Sequence, residues 1–117
     1  MDCQNLSDLR EALASFAQDR DWDQFHSVKN LILALVGEVG ELSEVFQWLD
    51  EAQISNLNEG DRDRAKEELA DVFLYLIRLA DKLDIDLIEA ANAKLRLNAE
   101  KYPVEAAKGN AVKYNRR

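Results

Sequence analysis

Two short acidic pairs carry the chemistry that this sequence can do: Glu38-Val39-Gly40-Glu41 and Glu68-Leu69-Ala70-Asp71. A spacing of three residues puts both carboxylates of a pair on one side of an α-helix, where like charges repel by a few tenths of a kcal/mol even in water. Four such groups converging in a small helical protein suit a hard divalent cation. Oxygen-only ligands favour Mg²⁺ or Mn²⁺ over zinc. Gly37 precedes the first pair and Gly40 lies within it, and each costs a helix about 1 kcal/mol relative to alanine. Their presence predicts close approach of a neighbouring helix or a ligand beside the carboxylates.

Four helical segments are predicted to position these groups. The first runs from Ser7 to Asp19, with Asn5-Leu6-Ser7 as its start, Ser7 as its cap, and Leu6, Leu9, Leu13 and Phe16 at helical spacing. A polar and aromatic connector, Arg20-Asp21-Trp22-Asp23-Gln24-Phe25-His26, leads to a second segment from the cap Ser27 to Glu51. The third spans Asp61 to Leu83, and the fourth starts at the cap Asp86 and ends before Pro103. On a helical wheel, Leu31, Leu35, Leu42, Val45 and Leu49 fall within about 60° of Glu38, with Glu41 at the rim. The first pair therefore sits in or beside an apolar stripe. A bare carboxylate buried there costs several kcal/mol without a counter-charge. The third segment is apolar around most of its circumference, which calls for more neighbours than one small bundle offers and predicts packing between subunits. Its remaining sector carries Glu68, Asp71, Tyr75, Arg64, Arg78 and Lys82, which taken alone reads equally as a solvated face with ion pairs.

Composition narrows the class. A chain of 117 residues with 47% hydrophobic residues, one proline and four glycines supports one helical core rather than a many-stranded sheet. The expected organisation is a helical domain over 1–103 and an irregular tail over 104–117. A formal charge of −8 lacks the basic footprint of a nucleic-acid binder. The single cysteine, Cys3, fits a reducing compartment. No run is apolar enough to span a bilayer or form a signal peptide, so a cytoplasmic protein is expected. Trp22 and Trp48 read as core aromatics or as plates that stack on a planar base. His26 reads as a hydrogen-bonding group rather than a catalytic base. Lys94, Asn98 and Lys101, at i, i+4 and i+7, form a stripe that is either solvated or a phosphate clamp.

Taken in order, these blocks resemble a known family. Asn30-Leu31-Ile32-Leu33-Ala34-Leu35-Val36-Gly37-Glu38-Val39-Gly40-Glu41-Leu42 leads to Phe46-Gln47-Trp48, and Glu67-Glu68-Leu69-Ala70-Asp71-Val72 follows on the next segment. The ExxE and ExxD pairs resemble those of the MazG-like, all-α nucleoside triphosphate pyrophosphohydrolases. The connector around Trp22, the Lys94–Pro103 block and Lys108-Gly109-Asn110-Ala111-Val112-Lys113-Tyr114 are similar to the dCTP pyrophosphatase branch. The likeness runs over nearly the whole chain.

The resemblance implies an all-α four-helix bundle of MazG-like type, packed into a homo-oligomer (tetramer or dimer) with shared active sites. It implies Mg²⁺-dependent hydrolysis of dCTP, a modified dCTP or another (deoxy)nucleoside triphosphate to the monophosphate and pyrophosphate. By motif position, Glu38, Glu41, Glu68 and Asp71 would be metal ligands, with Glu41 or Glu38 orienting the attacking water. Trp22 and Trp48 would contact the base, with Tyr75, one turn past Asp71, close by, and Lys94 and Asn98 would hold phosphate or sugar oxygens. One departure stands out: the dCTP-preferring animal relatives carry a first-helix histidine in the nucleotide pocket, and Leu13 occupies that position here. The rival readings are a broader NTP or phosphoribosyl-ATP pyrophosphohydrolase, and a non-catalytic helical oligomerisation module.

Overall fold

The computed structural model describes residues 2–116. Among them the fold is all-α, with six α-helices, two 3₁₀ turns and no strand. The chain divides into two units, the first ending at Asp84 and the second starting at Ile85.

In the first unit, α1 spans Leu6–Asp19 and is capped by Asn5, whose side chain accepts from the Asp8 N–H at 2.8 Å. The cap thus lies two residues before the expected Ser7. Asn5 has the extended backbone a cap needs (φ −148°, ψ 173°), whereas Ser7 is already inside the helix. Asn5→Ala is therefore expected to cost about 1 kcal/mol in urea unfolding, and Ser7→Ala less than about 0.5 kcal/mol. After α1, Asp21 adopts a left-handed φ of 56°, and the Gln24 amide donates to both its carbonyl and its carboxylate at 2.9 Å. The chain then makes a 3₁₀ turn over Asp23–Phe25. As expected, Ser27 caps the next helix, α2 (Val28–Phe46).

The anticipated helix through Glu51 is in fact two. Asp50 accepts from the Gln53 N–H at 2.8 Å, and Gln53 Oε1 accepts from the Asp50 N–H at 2.9 Å. This capping box starts α3, Glu51–Ser55, and leaves Gln47–Leu49 outside any helix. Asn58 caps α4, Glu59–Lys82, which begins two residues earlier than predicted.

Both α2 and α1 pack on α4, α2 more extensively. Leu31 and Ile77, 1% and 2% exposed, are the largest fully buried side chains, joined in the core by Ala17, Val45, Ala65 and Ala80. Leu35, Glu38 and Leu42 are half-buried along the Leu31–Val45 side of α2, while Glu41 is exposed at its edge, as the wheel predicts. On α4 the polar sector is solvated only in part, at Arg64 and Asp71. Glu68 and Tyr75 are half-buried and Arg78 is buried, whereas Leu69, Phe73 and Leu76 are exposed. The glycine expectation also needs correcting within this chain: a Cβ at Gly37 or Gly40 would meet nothing within 4 Å.

In the second unit, Asp86 caps α5 (Leu87–Lys101) as anticipated. Beyond Pro103 the chain forms a short α6, Val104–Ala107, and a 3₁₀ turn over Tyr114–Arg116. Tyr102 and Tyr114 pack edge to face with centroids 5.9 Å apart. Among the described residues no helix is long and apolar enough to cross a membrane.

Candidate active site

The packing of α2 on α4 brings the two acidic pairs together. Carboxylate oxygens of Glu38, Glu41 and Glu68 all lie within 4.8 Å of one another. Asp71, one turn beyond Glu68, stands outside that cluster, yet its charge acts on both Glu38 and Glu68. Burial, and then the neighbouring carboxylates Glu41, Asp71 and Glu68, push Glu38 up to about 7. Glu68 is also raised, by burial first and Glu41 next. Two of the oxygens, Glu38 Oε2 and Glu68 Oε2, are buried with no hydrogen-bond partner. An orphaned buried oxygen costs on the order of 1–3 kcal/mol, and here two of them sit in one cluster of like charge. A divalent cation would satisfy both oxygens and cancel the repulsion, so the donor set fits a hard metal ion.

Beside the carboxylates, α1, the connector and α4 enclose a cavity of about 400 Å³. Its walls are Leu9, Ala12, Leu13 and Phe16 from α1, Trp22 and His26 from the connector, and Asp71, Leu74, Tyr75 and Arg78 from α4. That size holds a small organic group, and the walls are mostly apolar and aromatic, as in ligand pockets generally. Trp22 is held by its backbone N–H donating to the Ala17 carbonyl at 2.8 Å and by its edge-to-face contact with Phe16 at 5.7 Å. The Arg20 guanidinium lies 3.5 Å from the centre of the Phe16 ring. With 46% of its surface exposed, Trp22 still has a face free for a ligand. Asp71 belongs to the cavity wall, so one member of the acidic pairs borders the cavity.

The structure thus assembles Glu38, Glu41 and Glu68 in one cluster, and Trp22, Tyr75 and Asp71 around one cavity. Leu13 also lines that cavity. Trp48 is placed elsewhere: it follows α2, is 86% exposed and is absent from the cavity wall. Lys94 and Asn98 lie one turn apart on α5, in the second unit.

Sequence reasoning took His26 as a hydrogen-bonding group and put Arg78 and Lys82 in the polar sector of α4, but missed that they join in one network at the cavity wall. Arg78 donates from Nε to His26 Nδ1 at 3.2 Å, from one terminal nitrogen to Asp81 at 3.3 Å, and from the other to Asp23. Lys82 Nζ also donates to Asp23, at 2.6 Å. The Lys82 hydrogen bond, reinforced by the charges of Lys82 and Arg78, holds Asp23 below its ordinary value despite opposing desolvation. Beyond His26 as a hydrogen-bonding group, the sequence trace of this network is Arg78 and Lys82 at i, i+4, since both partners in the connector are more than fifty positions away.

Comparison with known proteins bears on this arrangement. A model of the MazG-like family matches residues 34–116. The dCTP pyrophosphatase 1 of Rattus norvegicus is 47% identical over 111 residues, covering 93% of this chain and 65% of that protein. The Homo sapiens protein of the same name is 45% identical with the same shares. The chain therefore spans slightly less than two thirds of the length of these curated relatives. A crystal structure of a pyrophosphatase from Archaeoglobus fulgidus superposes with a TM-score of 0.80 at 35% identity, covering 88% of this chain and 96% of that one.

Proposed function

The chain belongs to the MazG-like family, and from that premise we propose that it hydrolyses dCTP or a modified dCTP to the monophosphate and pyrophosphate, cleaning the nucleotide pool of the cytoplasm. The observation that carries this reading is the pair of orphaned oxygens on Glu38 and Glu68 beside a cavity sized for a small planar group. Glu38, Glu41, Glu68 and Asp71 would hold Mg²⁺, or Mn²⁺ in its place. Bound there, the ion supplies Lewis-acid neutralisation of the phosphate oxygens, without which an acidic site repels a triphosphate.

The chain's own residues do the rest. Trp22 and Tyr75 hold the base in the cavity, a stacking contact being worth roughly 1–3 kcal/mol per base. Glu41 is the one member of the three-carboxylate cluster that is exposed, so it faces the solvent from which the nucleophile arrives. It accepts a proton from a water as that water attacks the α-phosphorus. The bond from the α-phosphorus to the bridging oxygen breaks, and pyrophosphate leaves with the bonding electrons. Lys94 and Asn98 are assigned to phosphate or sugar oxygens, and Trp48 to the base at a site shared with a neighbouring subunit. A homo-oligomer, tetramer or dimer, is supported by exposed apolar side chains on both long helices: Ile32, Leu33, Val36 and Val39 on α2, and Leu69, Phe73 and Leu76 on α4.

The test is a panel of the dNTPs and NTPs with Mg²⁺, measuring pyrophosphate released. The expected result is stoichiometric pyrophosphate and monophosphate, with dCTP among the preferred substrates. Release of inorganic phosphate alone, or no turnover of any nucleotide, would sink the reading. Activity across all bases would instead favour the broader pyrophosphohydrolase, for which Leu13 in the cavity wall is the specific observation.

A further inference from the structure

Arg78 and His26 line the cavity, yet the hydrolytic scheme gives neither a task. Arg78 is 6% exposed, and its five N–H groups can only donate. Its Nε–H points at His26 Nδ1 across 3.2 Å, so Nδ1 must be the acceptor. In a neutral imidazole the proton then resides on Nε2. Burial and the charges of Arg78 and Lys82 hold His26 below its ordinary value, against the opposing pull of Asp23, which keeps the ring neutral at physiological pH. The charged groups around it are Arg78, Lys82 and Asp81 from α4, Asp23 from the connector, and Asp71 on the same cavity wall. Among the described residues Nε2 has no hydrogen-bond partner.

We infer that Arg78 is a positioning residue: acting through His26, it fixes the Nε2–H tautomer and adds an oriented imidazole N–H donor to the wall of a largely apolar cavity. The ligand chemistry that matches is a planar ring with a hydrogen-bond acceptor on its edge, as the exocyclic carbonyl oxygen of a pyrimidine base provides. Asp23 and Asp81 serve this arrangement by accepting from the two terminal nitrogens of the guanidinium, which leaves Nε–H aimed at the imidazole, and Lys82 holds Asp23 in turn. The inference rests on the reading of the cavity as a base pocket and assigns the feature of the base that it recognises.

His26 is the single histidine of the chain, so a ¹⁵N spectrum of the full-length, histidine-labelled protein contains one imidazole. At pH 7.5 Nε2 is expected to resonate as a protonated nitrogen and Nδ1 as a hydrogen-bond acceptor. A proton on Nδ1, or a tautomeric average, overturns the inference with no variant needed. Adding dCMP without metal should shift the Nε2 resonance and deoxyribose 5-phosphate, which lacks the base, should shift it far less; equal responses, or none, also overturn it. Arg78→Gln should convert the fixed tautomer to an average, raise KM for dCTP roughly tenfold, the size of one lost hydrogen bond, and leave kcat within about twofold. An unchanged tautomer and KM in that variant would count against Arg78. If nucleotide hydrolysis fails while the tautomer is fixed and Nε2 answers dCMP, it is the catalytic reading that falls and not this one.

Discussion

Replacing Glu41 by glutamine is expected to lower turnover by roughly 10²–10⁴-fold, the range spanned by loss of a positioned general base, while leaving the fold intact. The side chain keeps its length and loses only the charge and the ability to take a proton. Because Glu41 is the exposed member of the cluster, its neutralisation removes no packing. It also relieves the repulsion that Glu41 exerts on Glu38 and Glu68. The thermal midpoint of the metal-free variant should therefore match or exceed that of the parent protein. Steady-state hydrolysis and a melting curve on the same preparation check both halves. Near-normal hydrolysis by the variant would remove the acidic cluster from the mechanism, whatever its effect on stability.

The second large effect concerns pH and metal together. Glu38 rises from its ordinary 4.5 to about 7 in the folded chain. The folded state then binds a proton that the unfolded state has lost, so this group's contribution is fully present below 4.5 and disappears as pH rises through 7. Glu68 shifts in the same direction. The metal-free protein should thus melt at progressively lower temperature between pH 4.5 and about 7. A bound cation takes the place of the proton, and the slope should flatten when Mg²⁺ is added. At a hundredfold excess over Kd, mass action contributes about 2.7 kcal/mol, an increase in Tm on the order of 10 °C for a chain of this size. Differential scanning fluorimetry with EDTA and with Mg²⁺ at three pH values would measure it. Below pH 4.5 the difference between the two curves should shrink, because protonated carboxylates no longer bind the ion. A metal-free Tm that climbs through this window would contradict the buried, mutually repelling pair.

How far such features were legible in the sequence depended on the range of the interaction behind them. Ser27 and Asp86 declared themselves as caps because a cap is a bond across three residues. Glu38 declared itself because one wheel turn sets it among Leu31, Leu35, Leu42 and Val45. The break at Gln47–Leu49 was also local, but the periodic Leu49 and the helix-forming residues around it masked the Asp50–Gln53 box. The burial of Glu68, Tyr75 and Arg78 could not be read from the pattern of α4 itself. A helix apolar on most sides has no intrinsic inside, and docking of α1 and α2 decides which sector is covered. Arg78 shows the same limit: Asp23 and His26 reach it only after the connector has been laid across α4. The three-carboxylate cluster was half legible, its α2 members from their own helix and Glu68 only from the family pattern.

The side-chain caps at Asn5, Ser27, Asp50, Asn58 and Asp86 have a kinetic corollary. Every cap bond closes within three residues, so each helix can nucleate alone on a submicrosecond to microsecond timescale. The slow step in the first unit is then the docking of α1 and α2 onto α4. That step is also the one that forces Glu38 and Glu41 against Glu68, so charge repulsion weighs on the docking barrier and leaves helix nucleation untouched. A divalent cation that bridges the two helices in the transition state would speed folding as well as stabilise its product.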